Sequence, residues 1–235
     1  MGDRLMSTLE VNAIDKESGS TLTLGGSGTQ VTVHASATTS GFPSSGLQSI
    51  QYIYSSGTWT KPSGITKVRV FVTGGGGSGS TNSSAHNSGG WGGGTAIKFI
   101  DVSSISSATV TVGAGGTANT SASSTGQDGG DSVWNDGTNV LTGGGGKGEG
   151  SWSSSASGGD FNIPGDGGGS YLGGSSYWAN RSHASHTISS SLYVYASTSD
   201  DTTVAGLGQG GLAYYSSGVT GYAGGAGIIV VEEYA

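Results

Sequence analysis

The residues that could do covalent or metal chemistry are few, and their spacing is poor for it. His183 and His186 stand three apart in His183-Ala184-Ser185-His186. A metal site or general base at that spacing would want a nearby Cys or the Glu of a zincin motif, and neither is present. A hydrogen-bonded loop is the expected setting, and His34 and His86, each alone, are expected on the surface or in a stem. The carboxylates come as Asp128 with Asp131, Asp136, Asp160 with Asp166, and Asp200-Asp201. Paired carboxylates cleave glycosides when their separation suits, so a depolymerase is one reading. Every one of these groups adjoins Gly or Ser, however, where Asp commonly serves turns. None matches a calcium-loop spacing. Gly146-Lys147 is followed by Gly148 rather than Ser or Thr, so the phosphate-loop pattern fails. No serine sits in a nucleophile elbow, and the absence of cysteine removes disulfides, thiolate metal sites and thiol catalysis together. The expectation is a non-enzymatic protein with no catalytic residue, no metal and no cofactor.

The aromatic residues are more informative. Trp91, Trp152, Tyr171, Tyr177, Trp178, Tyr193, Tyr195, Tyr214 and Tyr215 lie within or beside glycine- and serine-rich segments. Some would serve as core, covering bare backbone. The sharper reading is a binding surface, because Tyr and Trp offer large contact area with a polar handle, and Ser, Gly and Asn add adaptable hydrogen bonds. Residues 150–180 and the neighbourhoods of Tyr193 and Tyr214 are the expected binding loops, and these nine residues the expected contacts.

Composition bounds what can position them. Glycine supplies 49 of 235 residues, and 8 basic against 15 acidic side chains give a net charge of −7. That balance argues against nucleic acid, which demands clustered Lys and Arg. Three prolines without a third-residue glycine repeat exclude collagen. No apolar run is long enough to span a membrane, and the start does not read as a signal peptide. A flexible linker is disfavoured by five Trp, ten Tyr and four Phe, and by apolar residues gathered into short runs.

Those runs have the two-residue period of strands, so the fold class is all-β. Leu9 to Ile14, Thr21 to Leu24 and Val31 to Val33 read as three short strands with too little core of their own. Residues 1–48 are therefore expected to be an N-terminal stem that packs against copies of itself, with the boundary near Gly41 to Gly46. Residues 49–235 form a second, β-sandwich-like domain. Its strands are expected at Ile50 to Tyr54, Thr58 to Thr60, Val68 to Val72, Ala96 to Val102, Ala108 to Val112, Ile188 to Tyr195 and Ile228 to Val231. Val133-Trp134 should pair with Val140-Leu141 across a turn. Ile228 to Val231, apolar on both faces, should be a central strand covered on both sides.

Glycine tracts lie between the strands: 74–79, 89–94, 143–150, 165–174, 206–211 and 224–227. Ordering a glycine costs roughly 0.5–1 kcal/mol more than ordering alanine, so a folded chain of this kind needs a compensating device. Polyproline II geometry leaves N–H and C=O groups pointing sideways. Without intervening β-carbons, such segments can pack closely enough to bond one another, aided by Cα–H···O contacts. Packed polyglycine II segments are therefore expected.

Several motifs in order resemble a known family. Trp59-Thr60-Lys61-Pro62-Ser63-Gly64, the strand Val68 to Val72 and the run Gly74 to Gly79 resemble the opening of the glycine-rich domain that ends many bacteriophage tail fibres. Val110 to Gly116 and Gly129-Gly130-Asp131-Ser132 are similar to its middle, and Gly224 to Tyr234 to its end. Leu9 to Ile14 and Ser18 to Leu24 also look like a stub that precedes such modules. The chain is similar in style to T-even phage adhesins, in which packed polyglycine helices carry variable loops. The resemblance implies a virion tail-fibre tip, a homotrimer attached through its stem to other tail or baseplate proteins. It would bind a surface polysaccharide or outer-membrane protein of the host bacterium. The alternative is a purely structural fibre or baseplate component without receptor contact.

Overall fold

The structure, a computed structural model, describes residues 46–81, 88–119, 125–148, 154–169, 173–179, 205–213 and 221–235. The stem strands expected at 9–33 and the strand expected at 188–195 lie outside the described residues. All the described residues belong to one compact unit, Ser44–Ala235.

Among the described residues there are ten strands and no helix. They are β1 (Leu47–Ile53), β2 (Gly57–Thr60), β3 (Lys67–Thr73), β4 (Thr95–Asp101), β5 (Ser107–Thr111), β6 (Ser132–Asn135), β7 (Val140–Gly143), β8 (Ala156–Ser157), β9 (Phe161–Ile163) and β10 (Ile228–Tyr234). They form two five-stranded antiparallel sheets, ordered β1-β10-β3-β4-β9 and β2-β5-β6-β7-β8.

The alternation in the sequence decides which face is buried. Val68, Val70 and Val72 of β3 and Ile229 and Val231 of β10 point inward. They meet Trp59, Val110, Trp134 and Leu141 from the opposing sheet, which makes the fold a sandwich. The Trp59 and Trp134 rings lie 5.1 Å apart at its centre. On the other face of β10, Ile228 and Val230 join Phe71 in a second, smaller core. The last strand is thus interior to its sheet and covered on both sides, as its continuous apolar run requires. β6 and β7 pair as a hairpin with Asn135 opposite Val140. Asp136 closes that turn by accepting from the Thr138 and Asn139 amides at 2.9 and 2.6 Å. Gly137 there has φ of 89°, a left-handed conformation that favours glycine.

Two elements depart from the expected loops. Within 150–180, Ala156–Ser157 joins β7 and Phe161–Ile163 joins β4, so part of that segment is sheet edge. Two or three residues are too short to show a period of two, and pairing with an existing edge is what holds them.

The glycine tracts leave the ends of these strands and pack against one another. Consecutive amides from Gly74 to Ser80 all donate, in a rotation of three. Gly74, Gly77 and Ser80 bond the Gly94, Trp91 and Ser88 carbonyls at 3.0, 2.9 and 2.9 Å. Gly75 and Ser78 bond Gly130 and Gln127 at 2.9 and 2.8 Å, and Gly76 and Gly79 bond Gly225 and Tyr222 at 2.8 and 2.9 Å. In each set the partner numbers fall as the donor numbers rise, so the segments run antiparallel. The carbonyls of Gly75, Gly76 and Gly77 in turn accept from Gly146, Gly116 and Gly211. One tract is therefore bonded to six neighbours. A β-strand cannot do this, because its amides alternate between only two sides.

The segment 89–94 repeats the pattern. Gly94 and Trp91 donate to Gly144 and Lys147, Gly93 and Gly90 to Gly208 and Gly211, and Gly92 and Gly89 to Asp166 and Gly169. Such proximity needs bare backbone. A β-carbon on Gly76 would stand well inside 3.0 Å of the Gln209 carbonyl, and one on Gly90 equally close to that of Gly77.

Candidate functional site

The expected contact residues fall into two groups. Trp91, Tyr177 and Trp178 are described; Trp152, Tyr171, Tyr193, Tyr195, Tyr214 and Tyr215 lie outside the described residues.

Trp91 is half-buried, and its backbone is part of the glycine bundle, receiving Gly77 and donating to Lys147 at 2.7 Å. Its ring lies directly over Gly167. Trp178 is also partly buried. Its indole Nε1 donates to Thr73 Oγ1 at 2.9 Å, and its ring meets Phe71 edge-on at 5.6 Å. Ser176 shapes this turn, its hydroxyl accepting from the Trp178 and Ala179 amides while donating to the Leu207 carbonyl at 2.6 Å. Both tryptophans thus cover structure. Tyr177 differs: it stands against Phe71 and Trp178 at 5.9 and 4.9 Å yet remains 47% exposed.

Where the bundle's connections attach is informative. The pairs that close its far end, away from the sandwich, are Ser80 with Ser88, Asn119 with Gly221, and Gly89 with Gly169. The chain departs from that end at Thr81, Asn119, Gly169 and Ala213, and returns to it at Ser88, Thr125, Gly173 and Gly221. The connections carrying Tyr171, Tyr214 and Tyr215 are thus anchored there at both ends. The one carrying Trp152 starts there at Gly148 and ends at Ser154, which is bridged to Gly165. The connection carrying Tyr193 and Tyr195 starts and ends elsewhere. It is anchored near the sandwich, where Ser176 binds the Ala179 carbonyl and Gly208 that of Ala226.

The described aspartates accept from backbone amides. Asp128 pairs with Lys147 at 2.7 Å and accepts from the Gly148 amide at 3.0 Å. Burial opposes ionisation of Asp128, but the Lys147 ammonium and that amide outweigh it and hold the carboxyl below its ordinary value. Asp131 accepts from Gly145 at 2.8 Å, and Asp160 from Phe99 at 3.1 Å. Burial likewise works against ionised Asp136, and the Asn139 and Thr138 amides with the Trp134 indole overcome it, lowering its pKa. Among the described residues no three His, Cys, Asp or Glu side chains converge on a metal position. Asp200, Asp201, His34, His86, His183 and His186 lie outside the described residues.

The nine residues singled out in sequence omit four exposed rings, Tyr52, Tyr54, Phe99 and Phe161, which are 50% to 69% exposed. For Tyr52 on β1 and Phe99 on β4 the signal was strand parity, each falling on the face opposite the residues that enter the core; Tyr54, beyond β1, and Phe161, on a three-residue strand, carried no such signal.

No curated protein matches the chain. The family described as "Glycine-rich domain" matches residues 51–234, from β1 to the end of β10. The match takes in both sheets and the glycine bundle, and the chain belongs to that glycine-rich domain family.

Proposed function

We propose that this chain is the receptor-binding tip of a bacteriophage tail fibre, with residues 1–48 as its attachment stem. In this reading the tracts between the strands form a polyglycine II bundle, a rigid post on the sandwich. The connections at its far end carry the ring-bearing contacts to a host surface polysaccharide or outer-membrane protein. The observation that carries the reading is the common anchoring of the connections bearing Tyr171, Tyr214 and Tyr215 at the end of the bundle away from the sandwich. A scaffold held by backbone hydrogen bonds tolerates changes in such connections, because its own stability does not depend on them. The family membership and the order of the fibre-like motifs support the same reading. Individually weak contacts gain avidity when several tips engage one surface.

The test is binding of the full chain to envelope fractions of candidate hosts, before and after removal of surface sugar. Saturable binding is expected, with a loss of at least about tenfold in the triple variant Tyr171→Ser, Tyr214→Ser, Tyr215→Ser, roughly 1.4 kcal/mol. Unchanged binding by a folded triple variant, or none by the parent, would favour a structural fibre component. Release of sugar fragments on incubation would point to the depolymerase reading.

A further inference from the structure

The outer face of the β1-β10-β3-β4-β9 sheet is unusual for a surface. Antiparallel pairing sets Tyr52, Val230, Phe71, Ile97 and Phe161 in one transverse row, opposite one another strand by strand. Val230 and Phe71 in its middle are covered by Trp178 and Leu207. The flanks are open: Tyr52 is 56% exposed and Phe161 69%. The neighbouring row places Ile50, Glu232, Arg69 and Phe99 side by side, with Phe99 half exposed and its ring 5.6 Å from Tyr234. Leu47 lies opposite Tyr234, and Ile163 opposite Thr95, on the same face. Among the described residues, the large apolar side chains that remain exposed lie on or beside this sheet, Val140 of the other sheet excepted.

We propose that this face is where a second copy of the chain packs, an interface within the fibre. Three observations choose this occupant. First, an aromatic side chain can bury about 150–250 Å², so Tyr52, Phe99 and Phe161 at their exposed fractions leave roughly 300–400 Å² open. That is already the size of a typical monomer's largest patch, and Leu47, Ile50 and Ile163 extend it toward the roughly 800 Å² that each partner contributes to a stable interface. Second, Leu47, Ile50 and Ile163 gain nothing from sugar hydroxyls but gain from dry burial against protein. The charges at the centre already cancel, Arg69 bonding Glu232 at 2.6 Å and Tyr234 donating to the same carboxylate at 2.7 Å. Covering them leaves no lone charge buried. Third, the 45 residues ahead of Gly46 lead directly into β1, the open edge of this sheet. Copies joined through those residues, as the fibre reading holds, would meet along this edge. On that point alone the inference rests on the proposed function.

The chain has no cysteine, so single thiols report on chosen positions. Phe99→Cys and, independently, Ile50→Cys are compared with Val140→Cys, exposed on the opposite sheet. Each full-length variant is labelled with a maleimide across a dilution series while its mass is followed by light scattering. The expected result is labelling at positions 99 and 50 at least tenfold slower than at 140 in the assembled state. Those rates should rise to match position 140 as the complex dissociates. Equal labelling at every concentration, or a monomer throughout, overturns the proposal. Protection that persists in the monomer also overturns it, showing that the chain covers its own face. Protection of a monomer only when host polysaccharide is added overturns it in favour of a sugar platform. Host binding is read separately, so failure of the receptor role and failure of this interface are distinguishable.

Discussion

At the scale of single residues, the sandwich is held by polar groups buried with their partners. Glu233 is fully buried on β10. Its carboxylate accepts from the Trp59 indole at 2.8 Å, from Gln51 at 2.6 Å and from the Ser49 hydroxyl. It thereby ties β1 and β2, which belong to different sheets, to one strand. Removing one partner of a buried hydrogen bond leaves the others unsatisfied, at about 1–3 kcal/mol. Glu233→Ala should therefore lower unfolding free energy by roughly 2–3 kcal/mol, while Glu233→Gln, which keeps an acceptor, should cost less; urea titration measures both. Asp136 makes a pH prediction. Its folded pKa is depressed below the ordinary 3.8. Its contribution is therefore complete above that value and is lost as pH falls through the lower folded one. Melting temperature should drop on acidification below about pH 4, and Asp136→Asn should show a shallower drop from a lower starting point. A steeper drop in the variant would contradict the assignment.

At the scale of elements, strands and tracts differ in how far the sequence exposes them. The Val68, Val70, Val72 alternation and the doubly apolar Ile228 to Val231 state their burial openly, because side chains record which face meets the core. The hairpin of β6 and β7 was legible for the same reason, with its turn residues Asp136 and Gly137. β8 and β9 were not, being too short for a period to show. The tracts are legible only as tracts. Glycine marks where backbones approach, but carries no side chain to say which backbone, so the six neighbours of 74–80 could not be read in advance. Of the expected contacts, Trp91 and Trp178 take part in covering bare backbone and the second core, the other role that the sequence offered these aromatics. The tracts predict a sharp positional contrast. Gly76→Ala should destabilise by about 3 kcal/mol, the upper end for overpacking, because the obstructing atom is backbone. Gly57→Ala, where a β-carbon meets nothing within 4 Å, should stay within about 0.5 kcal/mol of the parent. Similar costs at both positions, in thermal or urea unfolding, would mean that the tracts are not closely packed.

At the scale of the whole molecule, the account joins a small sandwich to a bundle whose cohesion comes from the backbone itself. With 49 glycines the chain gives up side-chain burial over long stretches, and in 74–80 and 89–94 it recovers order through amides that each find a carbonyl. This division places the hydrophobic core at one end and the attachment points of the connections that carry Tyr171, Tyr214 and Tyr215 at the other, the arrangement that the proposed receptor role requires. Everything functional depends on the bundle being as firm as the sheets it grows from. Hydrogen exchange resolved to single amides tests this most directly. The amides of 74–80 and 89–94 should be protected to the same order as those of β3 and β10, because they open only with the fold. Exchange in those tracts at the rate of a free peptide, beside protected strands, would contradict the account.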